Sequence, residues 1–232
     1  MLIEEFNKRV ADINSYYDVL SFIDKIDSYK KGSHVMNLYN NSELTVDSEM
    51  QKCMRANALL MLYNLVESTF RNCIFLIYDA IHDHSLTYGE LSDYLRRVWL
   101  ELEFKDGMSV DNIRKRAKEI SDTVVDNKVM YDAIPKGTSG NLDLTIMIRI
   151  SRKFGINFGR ITNKGKVEHS LEFIKMHRNN LAHGNRTFSA IGSLVTLSEL
   201  YEYKVCIVNF LRHVINIYQA YVATNQYKKV AI

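Results

Sequence analysis

The sequence predicts an all-α fold, a bundle of about four to five main helices with a less regular helical stretch in its middle. Three observations predict it. The 232 residues include one proline, Pro135, and only ten glycines, so helix breakers are too scarce for a strand-rich sandwich. Apolar residues recur at helical spacing from the first segment onward, at Leu2, Phe6, Val10, Ile13, Tyr17, Leu20 and Ile23. The stretch from about residue 48 to Asp83 holds neither glycine nor proline and is apolar on most sides, as the central helix of a bundle is.

The first helix covers residues 1 to 30, and KKGSH breaks its pattern. Asp47 is placed to cap the long second helix, whose amides at the first turn lack intrahelical partners. Residues 84 to 140 are less regular. They carry expected helices around LSDYLRRVWLELEF and DNIRKRAKEI and a turn at IPKGTSGN, and they are read as an insertion or loop-rich subregion. LDLTIMIRISRKFG is a further helix ending on a glycine. The helix KVEHSLEFIKMHRNNLAHG follows, and Thr196 then opens the last helix with the capping-box spacing T-L-S-E. There is no internal repeat and no low-complexity segment. A 47% hydrophobic content suits a single domain over 1–232.

Composition narrows the function classes. A formal charge of +3 is too mild to identify a nucleic-acid binder without a local patch. Cys53, Cys73 and Cys206 have no paired spacing, so they are expected to be buried thiols rather than a disulfide framework or a zinc site. The N-terminus has no signal-peptide core, and the apolar run NALLMLYNLV stops at Glu67, short of a membrane span. A cytoplasmic protein with no membrane association is expected. The short run His82, Asp83, His84 lacks a second ligand group, so no metal site is expected there.

The stretch HRNNLAHG, residues 177 to 184, contradicts its own helix. At about 100° per residue, Val167, Leu171, Ile174, Leu181 and Ala182 share one arc, and Arg178 falls near its middle. A guanidinium keeps its charge at ordinary pH, and burying it alone costs several kcal/mol. Three readings are open. Arg178 pairs with a buried carboxylate, for which Glu67 is the candidate; or it lines a cleft or subunit seam where an anion meets it; or the arc is less buried than it reads. The neighbours bear on the choice. Asn179 stands one turn before His183, Asn180 adds a second amide, and Gly184 is a C-cap. A permanent cation, a residue type that titrates near neutral pH and neutral donors together form an inventory suited to a phosphodiester. By itself His183 is also explained as a histidine favourable to the helix dipole. His177 either assists or is a partly exposed helix residue. Glu67 and Arg71 also form a possible i,i+4 pair. The basic residues of NIRKRAKEI contact RNA or form a solvated face. Tyr201, Tyr203, Tyr218 and Tyr221 are expected to pack in the core or an interface.

R-N-N-L-A-H resembles the R-x4-6-H signature of HEPN domains, with Asn179 as the polar residue that usually follows the arginine. LLMLYNLVESTFRN and LAHGNRTFSAIG are similar to the corresponding segments of the MAE_28990/MAE_18760-like HEPN branch. The resemblance covers about residues 50 to 83 and 165 to 222, with residues 1 to 46 and the middle much weaker. It implies a helical bundle, with its core in about 47–83 and 165–223, that pairs, usually as a homodimer, and a metal-independent endoribonuclease without cofactors. Arg178, His183 and Asn179 would be catalytic, supported by Glu67, Asn180 and His177, with the two motifs facing each other across the dimer. The implied partner is RNA, with an antitoxin or neighbouring defence protein as a further one, and the implied role is that of a toxin or phage-defence effector. The alternative is a non-catalytic HEPN module that binds RNA or a protein.

Overall fold

A computed structural model describes residues 2–28, 34–37, 43–104, 107–124 and 140–230. Among them are eight α-helices: α1 (Leu2–Ser28), α2 (Ser48–Asp83), α3 (Asp93–Glu103), α4 (Val110–Val124), α5 (Leu144–Lys153), α6 (Lys164–Ala182), α7 (Phe188–Gly192) and α8 (Leu197–Ala223). The all-α expectation holds, with α1, α2, α6 and α8 the longest at 27, 36, 19 and 27 residues.

The caps read from the sequence are in place. The Asp47 carboxylate accepts the Met50 amide at 2.8 Å, opening α2. Thr196 and Glu199 form the reciprocal box at α8: Glu199 accepts the Thr196 amide at 2.8 Å, and the Glu199 amide reaches the Thr196 hydroxyl at 3.2 Å.

One feature departs from expectation. A two-stranded antiparallel hairpin, β1 (His34–Asn37) with β2 (Glu43–Val46), lies between α1 and α2, in register from His34 opposite Val46 to Asn37 opposite Glu43. Four-residue strands carry too little alternation to stand out from a loop. Within 84–140 the two expected helices are present where the segment is described. After a single 3-10 turn at Tyr88–Glu90, it holds α3 and α4 as regular helices. Most of the expected turn at 134–141 and the KKG of the expected break at 30–34 lie outside the described residues.

The chain forms two compact units that share α2 and α8 between them. The first comprises Ile3–Glu67 and Asn163–Phe210. Here Phe6, Val10, Ile13, Tyr17, Leu20 and Ile23 of α1 are buried, the stripe the spacing predicted. Tyr17 donates its hydroxyl to the Leu200 carbonyl at 3.3 Å, and Tyr16 donates to the Met54 carbonyl at 2.9 Å, tying α1 to α8 and to α2. The second unit comprises Ser68–Thr162 and Leu211–Ile232. Its core includes Phe70, Ile74, Trp99, Met147, Phe154 and Tyr218, all under 9% exposed. Inside it the Ser151 and Tyr218 hydroxyls lie 2.8 Å apart, and the Tyr221 hydroxyl donates to the Phe154 carbonyl at 2.8 Å. Tyr203, Tyr218 and Tyr221 are buried, as expected of the terminal helix. Cys73 is buried, and desolvation pushes its thiol pKa well up; Cys53 and Cys206 are only half-buried, a correction to the expectation that all three would be sealed. Both lie on helix faces that turn partly outward, which their spacing alone did not indicate. No described helix is long and apolar enough to cross a membrane.

Candidate functional site

The site belongs to the first unit, where α2 and the C-terminal end of α6 bring their side chains together. α6 buries Val167, Leu171 and Ile174, but the arc opens beyond them: Arg178 and Leu181 are half-buried and Ala182 is exposed. Two of the three sequence readings of Arg178 therefore hold at once. Its side chain is 21% exposed and its partner Glu67, on α2, is 16% exposed. Arg178 Nη2 donates to Glu67 Oε2 at 3.2 Å, and Arg178 Nη1 donates to Asn179 Oδ1 at 2.9 Å. The guanidinium also lies over the Tyr63 ring, 4.3 Å from its centroid. Carboxylate, amide and aromatic face hold its orientation while about a fifth of the side chain stays exposed.

Tyr63 is the residue that sequence reasoning missed. Its signal was present: Tyr63 stands four residues before Glu67, so the two share a face of α2. Glu67 gives its carboxylate to Arg178, not to Arg71 one turn along the helix, so the i,i+4 reading is set aside. The side-chain carbonyl oxygen of Asn179, expected to meet phosphate or orient His183, accepts a hydrogen bond from Arg178.

The position of His183 is set by backbone. Its amide donates to the Asn179 carbonyl at 3.0 Å; the Gly184 amide reaches Leu181 at 3.1 Å and the Asn185 amide reaches Asn180 at 2.9 Å. That pairing of C″ with C3 and C′ with C2 is a Schellman cap, and it needs the left-handed backbone Gly184 adopts at φ +68. His183 is thereby held as the exposed C-cap of α6. Asn180 is half-buried.

His177 is corrected. It is 4% exposed, with its ring edge-on to Phe173 at 4.3 Å between centroids, and Nδ1 has no hydrogen-bond partner among the described residues. The helical turn places it on the buried side, a step of about 100° from Arg178. Desolvation, and then the positive charge of Arg186, lower its pKa from the ordinary 6.5, so it is held neutral. The unfolded chain takes up a proton below that ordinary value and the folded one resists it. Stability from this residue is thus complete above about pH 6.5 and is lost as pH falls toward the lower folded value. Urea midpoints at pH 7.5 and 5 should therefore fall further for the wild type than for His177→Phe. Parallel losses in the two proteins would contradict the assignment.

His84, from the His82–His84 run, has Nδ1 within 2.7 Å of the Ala80 carbonyl and 3.2 Å of the Tyr227 hydroxyl. Among the described residues no group of three or more histidines, cysteines or carboxylates is placed to hold a metal ion.

An arginine and a histidine at the end of one helix, spaced R-N-N-L-A-H, are matched by one comparison that spans almost the whole chain. The family model described as HEPN_MAE_28990/-like HEPN covers residues 1–227. The chain belongs to this HEPN family. The match runs through residues 1–46 and 84–140, where the sequence resemblance was weak, so HEPN character is not confined to the two segments first recognised. No curated protein and no solved structure matches the chain. HEPN domains are often RNases, and they typically dimerise.

Proposed function

We propose that this HEPN protein is a metal-independent endoribonuclease acting through Arg178 and His183. The observation that carries the reading is the contrast between the two side chains. Arg178 is oriented by Glu67, Asn179 and Tyr63 before any ligand arrives, and His183 stands exposed on a fixed backbone cap. A preoriented cation and an accessible imidazole on the same helix end suit a phosphodiester whose own 2′-hydroxyl is the nucleophile. His183 takes the 2′-OH proton or gives a proton to the departing 5′-oxygen. Arg178 holds the scissile phosphate and offsets charge growing on its oxygens. Glu67, Asn179 and Tyr63 position the guanidinium, and His177 and Asn180 support the helix end. The chemistry asks for no cofactor.

A second copy of the chain completes the site. Met176, Phe188 and Leu194 are 48%, 38% and 46% exposed, and all three belong to the unit that carries the motif. Apolar side chains left in water on the unit that carries the motif favour an isologous contact, in which each protomer offers the same surface. A toxin or phage-defence role follows if the substrate is cellular RNA, and an antitoxin or neighbouring defence protein would then restrain it in the cytoplasm. One observation favours a second reading. The contacts of Arg178 with Glu67 and Tyr63 also serve packing, which fits a non-catalytic module binding RNA or protein.

Labelled RNA incubated in EDTA separates the two. The wild type is expected to cut, and Arg178→Ala to lose at least about 100-fold in rate, the scale of a lost electrostatic stabiliser. Binding without cleavage by the wild type supports the module. Growth arrest on expression, relieved by the same substitution, supports the toxin.

A further inference from the structure

We propose that a groove between α3 and α5 is a binding site for single-stranded RNA backbone, built from residues outside the HEPN motif. It rests on RNA being the substrate class. The groove lies wholly within the second unit and has a volume of about 480 Å³. One wall is Tyr94, Arg97, Val98 and Glu101, the i, i+3, i+4, i+7 face of α3; α5 supplies Thr145, Ile148, Arg149 and Arg152 at the same spacing. Lys153 joins them and pairs with Glu101, the only carboxylate in the lining.

Arg97, Arg149 and Arg152 are exposed, and none of their side chains makes a hydrogen bond or ion pair among the described residues. Most other arginines of the second unit with described partners behave differently: Arg96 holds Asp93 and two carbonyls, and Arg116 holds Glu103 and Glu119. Three unneutralised guanidinium groups around one concavity repel each other, and an anion that bridges them relieves the repulsion. Guanidinium forks match phosphate oxygens two at a time.

Tyr94 selects among anions. It is 54% exposed, yet its ring is braced against Gly155, where an added Cβ would come within 2.7 Å of Tyr94 Cδ2. Gly155, at φ +78, is therefore fixed as glycine by both backbone and ring. An exposed aromatic ring lying against a glycine beside arginines is a platform for a base whose phosphates sit on those arginines. An acidic peptide would use the charges and leave the ring unused.

The test is titration of a fluorescent single-stranded RNA into full-length His183→Ala, which keeps the groove and does not consume the probe. Adding Arg97→Gln and Arg149→Gln should weaken binding about tenfold near physiological salt. The slope of log affinity against log salt should fall by about 1.4, the value for two lost contacts to a single strand. Tyr94→Ala should cost about fivefold or more with the slope unchanged. Lys115→Gln with Lys118→Gln, exposed on α4, removes equal charge and should change little. Unchanged affinity and slope in the arginine variants overturns the site, as does an equal loss in the α4 control. Weakened binding of a polyglutamate probe with RNA unaffected would make the groove a protein contact and also overturns it. Circular dichroism and melting temperature confirm that the variants fold. If the wild type never cuts RNA while the groove variants lose binding, the nuclease reading fails and this site stands. If the wild type cuts and the variants bind normally, this site fails alone.

Discussion

His183→Ala should abolish RNA cleavage, by at least about 100-fold and up to about 10⁴-fold for loss of a general acid–base group, while leaving the fold intact. The two halves of this expectation have separate causes. The imidazole is exposed and the cap is made by backbone, through Gly184 and Asn185, so its removal takes no packing with it. Melting temperature should therefore change little. His183→Gln keeps a hydrogen-bonding side chain but cannot carry a proton between oxygens, and should be as inactive as alanine. A glutamine variant that retains wild-type turnover would reduce His183 to a phosphate contact. Arg178→Ala differs in kind, because it leaves Glu67 without its partner and Tyr63 without its cover and should cost stability as well as rate. Arg178→Lys keeps the charge and loses the planar fork, so it tests orientation apart from charge.

Gly192→Ala should be among the most destabilising small substitutions in the chain. Gly192 closes α7 and is buried, and a Cβ built on it would stand 1.7 Å from the Lys52 carbonyl oxygen and 2.4 Å from its carbon. Both obstacles are backbone of α2, so no side-chain rotation relieves the clash and the two helices must separate. A cost of about 3 kcal/mol is expected from overpacking of this kind. Urea unfolding should show a lower midpoint with the slope kept. Gly165→Ala is the control: nothing lies within 4 Å of its added Cβ, and it stands inside α6, where alanine favours the helix by up to about 1 kcal/mol. Equal effects from the two substitutions would contradict the close approach. Because α7 follows the HEPN motif directly, Gly192→Ala should also weaken activity by loosening the segment after His183.

The helices were legible because periodicity and caps are local. The α1 stripe, the Asp47 cap, the end of α2 at Asp83 and the Thr196 box all follow from residues a few positions apart. The hairpin was not, since four-residue strands acquire meaning only when paired. The site divides along the same line. Arg178 and His183 were found from their spacing, and Glu67 from the need of a cation for a carboxylate. Tyr63 was missed, because its role depends on which face of α2 meets the end of α6. His177 was read either as assisting the site or as a partly exposed helix residue, since its burial is decided by its contact with Phe173 and not by its place in the motif.

The most direct measurement is the chemistry of the cut ends. Cleavage by wild-type protein in EDTA should leave a 2′,3′-cyclic phosphate and a 5′-hydroxyl, and a single 2′-deoxy substitution at the scissile nucleotide should block it. Ends bearing a 3′-hydroxyl and a 5′-phosphate, or undiminished cutting at the deoxy position, would mean that water and not the ribose attacks, and would contradict the roles given to Arg178 and His183.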